Sequence, residues 1–416
     1  MKRVLAALTV GMFRAWHVAL VLLVAFAQAG DAAAPAAPGE ASNRLSAGPR
    51  IEPLVRVVDL KIGQQATVEL ADGGKATVRL IDLKETRDPI RQTIRKTEVL
   101  VEVNGQSCTL SAGLYYLPVT VAGVQIDCAV TSGYNIDNTR CEYSLEADAR
   151  LRLWPAGSPL LRPGTFRYPL KQRWFATLTW SDIEPIDGGT TISNQVGYHN
   201  GVDIGGAEGM VEIVAATDGV VVSARDEVLD QYDQDAPVKP RYDVIYVRDN
   251  RSWYYRYSHF QSIDPAVVPG RVLKQGDRLG VLGKEGASGG WTHLHFHIAS
   301  LQPSGAWGLQ NAYAFLHEAY RNEYKPPILA CARPQRMIRA GDAVELDASQ
   351  SWSECGEIRE CQWTFSDGTT ATGPRVRREY AAPGRYSEIL RVTDGKGNVD
   401  YDFAVVQVLD PRRPNQ

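Results

Sequence analysis

Histidine is scarce in this sequence of 416 residues, with 7 copies, and several other features are missing altogether. No run of lysine or arginine occurs and the formal net charge is -3, so nucleic acid or an anionic membrane surface is not expected as the main partner. Beyond the N-terminal segment, no apolar run reaches the roughly 20 residues that a membrane-spanning helix needs. The length allows two to four domains.

The first 29 residues have the pattern of a secretory signal peptide. Lys2 and Arg3 precede an apolar run over 18–26, and residues 27–29 (Ala-Gln-Ala) form a small-x-small cleavage pattern. We therefore expect cleavage after Ala29 and export to the periplasm or the extracellular envelope, with no membrane contact in the mature form. A retained N-terminal anchor is the alternative. Export favours disulfides, and the sequence leaves open the pairing of its six cysteines: Cys108, Cys128, Cys141, Cys331, Cys355 and Cys361.

The rest of the chain predicts a mainly β protein, because short β-prone runs alternate with turn residues. Asp72-Gly73-Gly74 predicts a hairpin, and Asn104-Gly105 predicts a second tight turn. The predicted organisation is a flexible linker at 30–49, a β-rich accessory domain at 50–160, a histidine-containing domain at 161–325, a β-sandwich at 326–410 and a tail at 411–416. Helical spacing of apolar residues predicts one helix, at 312–322.

The stretch 291–298 concentrates the scarce histidine. Apolar residues alternate there with His293, His295 and His297. Side chains on a strand alternate between its two faces, so the three imidazoles are predicted to share one face while the apolar residues enter a core. His317, in the predicted helix, is assigned no role beyond packing or surface exposure.

Two other short segments complete a candidate zinc site. One places His199 four residues before Asp203, and the other contains His259. Nearby glycines disfavour a helix, so we expect a loop from His199 into a strand that presents Asp203. Zinc in a hydrolytic site usually keeps three protein ligands and leaves one position for water. His199, Asp203 and one strand histidine would supply such a set.

Three motifs in this order resemble the LytM/lysostaphin-type zinc metallopeptidases. They are His199-x-x-x-Asp203, then Tyr257-x-His259, then His293-Leu294-His295-Phe296. The resemblance, which extends over about 166–300, implies an antiparallel β-sheet metallopeptidase domain with one zinc ion per chain. It implies His199, Asp203 and His295 as the zinc ligands. It also implies that His259 and His293 flank the attacking water, one of them as general base.

Two positions depart from that family pattern. Trp291-Thr292 stands where Gly-Pro is usual, and His297 stands where Glu is usual. Neither change removes an implied ligand or an implied catalytic histidine. We expect His297 to be a partly buried histidine, with a supporting role beside the metal or a competing ligand as the alternatives.

The C-terminal region, over about 327–410, resembles the PKD-type immunoglobulin-like domain. Its marks are a Trp-x-Phe-x-Asp-Gly turn at 363–368 and a Tyr-x-x-x-Gly-x-Tyr strand at 380–386. The resemblance implies a small β-sandwich that serves as a spacer or binding module.

Together the motifs predict an exported zinc metalloendopeptidase that hydrolyses peptide cross-links of bacterial peptidoglycan, with stem or cross-bridge peptides as substrates. A secreted protease of glycine-rich proteins is one alternative. A non-catalytic wall-binding or amidase-activating module on the same fold is another. The accessory domain is predicted to cover or border the cleft and limit activity, because it directly precedes the catalytic domain.

Overall fold

The computed structural model describes residues 47–87, 92, 94–137, 142–175, 198–230, 232, 235–333 and 336–410. The predicted signal peptide, most of the linker, Cys141 and the tail lie outside these residues. Within the described ranges, no helix is both long enough and apolar enough to cross a bilayer. The chain is mainly β, as the sequence predicts.

The first eight strands form one sheet, which we call the accessory sheet, in the order β1-β8-β7-β5-β4-β3-β2 with β6 beside β7. The strands are β1 (Arg56–Leu60), β2 (Gln65–Glu69), β3 (Lys75–Arg87), β4 (Ile94–Val103), β5 (Gln106–Ala112), β6 (Val119–Val121), β7 (Val124–Thr131) and β8 (Ala149–Pro155), with helix α1 (Ser132–Asp137) after β7. Both predicted turns are confirmed. Strands β2 and β3 pair across residues 70–74. Asn104 and Gly105 take φ of 47° and 84°, the positive values that a two-residue hairpin loop favours.

The second eight-stranded sheet, which we call the histidine sheet, has the order β12-β11-β13-β14-β18-β19, with β16 beside β11 and β9 beside β18. Its strands are β9 (Val202–Gly205), β11 (Gly219–Ala224), β12 (Glu227–Val228), β13 (Val244–Asp249), β14 (Tyr254–Ser258), β16 (Val272–Leu273), β18 (His293–Leu301) and β19 (Trp307–Gln310). A small sheet beside it contains β10 (Glu212–Val214), β15 (Phe260–Ile263) and β17 (Arg278–Leu282). The predicted helix is confirmed as α2 (Tyr313–Tyr324), and its apolar residues share a core with the apolar face of β18.

The C-terminal strands form a separate β-sandwich with its own core around the buried Trp363. They are β20 (Ile328–Leu329), β21 (Arg336–Arg339), β22 (Ala343–Asp347), β23 (Trp352–Ser353), β24 (Ile358–Thr364), β25 (Thr370–Thr372), β26 (Arg375–Glu379), β27 (Gly384–Asp394) and β28 (Val399–Leu409). The main sheet runs β21-β28-β27-β24-β25, with β21 parallel to β28.

The accessory sheet packs directly on the histidine sheet. Tyr134, Tyr143 and Leu145, from the segment that follows β7, share one apolar cluster with Tyr246 and Tyr254 of the histidine sheet. This is the face opposite to the one that α2 covers. Both faces of the histidine sheet are therefore buried.

The predicted disulfides are not seen among four of the cysteines. Cys108, Cys128, Cys355 and Cys361 carry free thiols. Cys128 lies in the core of the accessory sheet and the half-buried Cys108 packs against that core, whereas Cys361 lies in the core of the sandwich. Burial also raises the pKa of the Cys128 thiol, which keeps it protonated.

Candidate metal centre

Strand β18 positions the histidines by simple alternation. Leu294 and Phe296 are fully buried in the core shared with α2. His293 and His295 therefore point to the opposite face, where both contact the carboxylate of Asp203. Asp203 lies on β9 directly opposite His295 in the antiparallel register, so strand pairing alone brings these two side chains together.

Three side-chain atoms converge at one point of this face. Asp203 Oδ1 lies 2.9 Å from His295 Nδ1 and 3.2 Å from His199 Nε2, and the two imidazole nitrogens lie 3.1 Å apart. Gly201 permits this approach, because a Cβ there would stand 2.8 Å from the His295 ring. The structure thus brings together the three side chains that the sequence predicts as ligands, and they form a group able to hold a metal ion.

His199 Nε2, Asp203 Oδ1 and His295 Nδ1 form a triangle of atoms, and hydrogen bonds alone account poorly for it. If both imidazole nitrogens donate to the Asp203 carboxylate, their N–H groups oppose each other across the 3.1 Å contact between His199 and His295. A cation at the centre attracts all three atoms. Tetrahedral zinc with bonds of about 2.0–2.1 Å would hold its ligand atoms about 3.3 Å apart, close to the separations present. The residues therefore fit a zinc ion.

The protonation states also suit a metal centre, since ligands must give up their protons. Burial lowers the pKa of His295 to about 3 and that of His293 to about 4, so both rings are neutral at neutral pH. Burial by itself would raise the pKa of Asp203. The imidazole groups of His199, His293 and His295 that face the carboxylate nevertheless hold that pKa well below its usual range, so Asp203 is ionised.

His259 and His293 lie side by side at the edge of the triangle, with ring centroids 4.6 Å apart. A backbone carbonyl faces Nδ1 of each ring: Glu285 O at 2.7 Å for His259 and Trp291 O at 3.1 Å for His293. Because a carbonyl only accepts, these two contacts favour a proton on Nδ1 of each ring. In a neutral ring with that tautomer, Nε2 has a lone pair for a proton.

The backbone at His259 holds an uncommon conformation. Its φ is 73°, in the left-handed region that few residues other than glycine adopt. The buried Asp243 carboxylate accepts the His259 N–H at 3.0 Å, and Arg241 pairs with that carboxylate at 2.7 Å. These contacts maintain the turn between β14 and β15, which points to a functional role for it.

His297 shares the buried face with His295. Its Nδ1 lies 3.3 Å from His295 Nε2, on the side of that ring away from Asp203. Burial, with the Arg256 guanidinium as the second cause, holds the pKa of His297 well below its usual range. His297 therefore contacts a predicted ligand rather than the point where the three ligand atoms meet.

Several contacts around the site are not predictable from sequence. The Trp291 ring stacks on His293 with centroids 3.6 Å apart. The Tyr143 hydroxyl donates to the His199 carbonyl at 3.0 Å, and Glu142 accepts from the Asn200 amide. Asp243 is one acidic residue among 48 Asp and Glu in the chain, and no local spacing ties it to His259.

Comparisons with known proteins match two parts of this chain to recognised families. Residues 197–305 match the sequence profile of Peptidase family M23, and residues 324–408 match that of the PKD domain. The middle of the chain is therefore a peptidase domain. More narrowly, it is a domain of Peptidase family M23 that is followed by a PKD domain, as the motifs predict.

Individual relatives are more distant. A microbial collagenase of Vibrio alginolyticus is 26% identical over 91 residues, which are 20% of this chain and 11% of the collagenase. The chain therefore spans about a tenth of the length of that curated relative. A putative glycyl-glycine endopeptidase lytM from Ruminococcus gnavus is 22% identical, with a TM-score of 0.26, over 37% of this chain and 60% of that one. Lysostaphin from Staphylococcus simulans is 18% identical, with a TM-score of 0.22, over 49% and 81%.

Proposed function

We propose that the protein is an exported zinc metalloendopeptidase that hydrolyses peptide cross-links of bacterial peptidoglycan. The observation that carries the proposal is the convergence of His199 Nε2, Asp203 Oδ1 and His295 Nδ1 within 3.2 Å of one another. Two neutral nitrogens and one carboxylate would leave a bound zinc ion with a net charge of about +1 and one open position. The match to a peptidase family over the same residues supports the reaction class.

Zinc at this point would supply a Lewis acid for the peptide carbonyl and would lower the pKa of a coordinated water towards neutrality. In the proposed mechanism His199, Asp203 and His295 hold the ion. The β9–β18 pairing fixes Asp203 and His295 relative to each other, so little reorganisation is needed on binding.

His259 and His293 are the proposed proton carriers. Both have Nδ1 hydrogen-bonded to a carbonyl, so either ring can accept the proton of the attacking water at Nε2. The ring that accepts it becomes a donor, which can stabilise the developing oxyanion or protonate the leaving amine. Burial of His293 favours the neutral, accepting state before the reaction.

Digestion of purified peptidoglycan tests the proposal against its two alternatives. We expect the mature protein to release new amino termini, and mass spectrometry of the products to place the cut in a stem or cross-bridge peptide. Faster turnover of glycine-rich protein substrates than of wall would favour the secreted protease. Binding to intact wall without new amino termini would favour the non-catalytic module.

We further propose that the accessory sheet limits access to the peptidase site. The sheet face that bears the histidines continues into Tyr246, Tyr254 and Ala299, all nearly inaccessible to solvent beneath the segment that contains Tyr143. Substrate that follows this face would meet that segment. The contacts of Tyr143 and Glu142 with residues 199 and 200 hold it beside a predicted ligand.

Substitution tests this role better than truncation, because Trp154 of the accessory sheet packs edge-on against Phe315 of α2. We expect Tyr143→Ala to raise the specific activity on peptidoglycan several-fold. Tyr386→Ala is the matched control, since its hydroxyl also donates to a backbone carbonyl, at 2.9 Å, but lies in the sandwich. Equal activities for the two variants would contradict the role of the accessory sheet and leave the peptidase assignment intact.

A further inference from the structure

A second buried contact of His295 has a consequence for metal binding. His295 offers Nδ1 to the triangle, where Asp203 Oδ1 is 2.9 Å away and His199 Nε2 is 3.1 Å away. A nitrogen that binds a metal must carry no proton. An imidazole that binds a metal through Nδ1 carries its one proton on Nε2.

The proton on Nε2 needs an acceptor, because a buried donor without a hydrogen-bond partner destabilises the folded state. His297 Nδ1 lies 3.3 Å from His295 Nε2 and meets that need. His297 is itself nearly inaccessible, with 6% of its surface exposed, so water is a poor substitute. To accept, His297 must be neutral with its own proton on Nε2.

We propose that His297 is a positioning residue for the metal centre: it accepts the His295 Nε2–H at Nδ1 and so fixes His295 in the tautomer that presents Nδ1 to the ion. The inference rests on the proposed function, because it concerns the zinc site. His297 is thereby distinct from the three ligands and from the proton carriers His259 and His293. Partners of this kind orient a ligand ring and raise its basicity.

Zinc affinity, measured on the full mature chain by competition with a chromophoric chelator, tests the inference without using activity. We expect His297→Leu to weaken zinc binding about 10- to 100-fold, the usual effect of removing such a partner. His297→Asn, whose side-chain oxygen can take the place of Nδ1, should restore affinity to within about threefold of wild type. His317→Leu is the matched control: it removes another buried histidine of this chain, away from the site, and should leave affinity unchanged.

Two results would overturn the inference. One is a His297→Leu protein that binds zinc as tightly as wild type. The other is a His297→Asn protein as weak as the Leu variant, since the hydrogen-bond acceptor would then be irrelevant. If His297→Leu does not fold, His297→Phe fills the same space without an acceptor and carries the same expectation. Failure of wild type to bind zinc would instead reject the proposed function.

Cobalt substitution gives a second readout. The visible absorption of bound Co²⁺ depends on the geometry and donor strength of its ligands. We expect the spectrum of the His297→Leu protein to differ from that of wild type and the His297→Asn spectrum to resemble it. Identical spectra for all three proteins would contradict a positioning role.

Discussion

The accessory sheet and the histidine sheet both have eight strands and both bury ionisable side chains, but they treat those side chains differently. In the accessory sheet, Arg150 pairs with Asp59 through two bonds of 2.8 and 2.7 Å, and Arg152 donates to Asp127 and to the Asn311 carbonyl. Each of these two guanidinium groups therefore pairs with a carboxylate, and its N–H donors meet oxygen acceptors. Beside the histidine sheet, two imidazole nitrogens and one carboxylate oxygen crowd one point, and hydrogen bonds alone do not satisfy all three contacts. Buried charge that is internally satisfied serves the fold, whereas crowded ligand atoms of this kind are typical of a site for a cation.

The largest effect should come from breaking the triangle. Asp203→Asn and His295→Ala should each lower the specific activity on peptidoglycan at least about 1,000-fold, equivalent to about 4 kcal/mol of transition-state stabilisation. Release of amino termini is the measurement. Asp127→Asn provides the control from the accessory sheet, and under folding conditions it should keep wild-type activity.

Removing a charge from the accessory sheet should instead affect stability. Asp127→Ala leaves the Arg152 guanidinium buried without its carboxylate, and we expect a loss of about 3–5 kcal/mol in the free energy of unfolding in urea. Replacing both residues with apolar side chains of similar volume should recover most of that loss. A single variant as stable as wild type would contradict the structural role of the pair.

His317 extends the comparison to a buried ionisable group that meets no charge of opposite sign within the described part of the chain. Burial, with Arg321 as the second cause, lowers its pKa from 6.5 to about 3. The unfolded chain takes up a proton below pH 6.5 and the folded chain does not, so stability falls as the pH drops from 6.5 towards 3. At about pH 4.5 the resulting loss in the free energy of unfolding is on the order of 3 kcal/mol.

Urea unfolding of wild type and His317→Phe, at neutral pH and at about pH 4.5, checks this effect. We expect the acid-induced loss of stability to be smaller in the variant by about the amount above. The metal centre and other acid-sensitive groups contribute equally to the loss in both proteins. Subtracting one loss in unfolding free energy from the other therefore leaves the contribution of His317. Parallel losses in both proteins would show that His317 does not titrate in this way.

The smallest expected effect tests how closely the triangle is packed. A Cβ at position 201 would lie 2.8 Å from the His295 ring and from the Phe296 carbonyl, so Gly201→Ala must displace a ligand. We expect zinc affinity to fall about tenfold, or about 1.4 kcal/mol. Gly74→Ala is the control, because its Cβ would meet only the movable Asp72 side chain at 3.0 Å. Equal zinc affinities for the Gly201→Ala and Gly74→Ala proteins would mean that the site tolerates displacement of the His295 ring.

Local patterns explain how much of this structure the sequence reveals. The alternation around His293 and His295 fixes their face, and the glycines near Asp203 exclude a helix, so both local predictions agree with the structure. The hydrogen bond from the His259 backbone N–H to the Asp243 carboxylate, by contrast, joins residues 16 positions apart. They meet only because β13 pairs with β14. No periodicity encodes such a contact.

The accessory sheet shows the same limit of local reasoning. Its hairpins follow from Asn104-Gly105 and Asp72-Gly73-Gly74, but its docking through Tyr143 does not, because docking depends on the complementary shapes of two finished folds. Six cysteines in an exported chain predict disulfides, but residues 108 and 128 instead pack as small apolar side chains.

Zinc content per chain tests the central claim most directly. The full mature protein and its Asp203→Asn variant would be purified without added metal, dialysed, and measured by elemental analysis against protein concentration. The triangle of His199, Asp203 and His295 predicts one zinc ion per wild-type chain and a large loss in the variant. A wild-type protein without zinc, or a variant that retains as much as wild type, would contradict it.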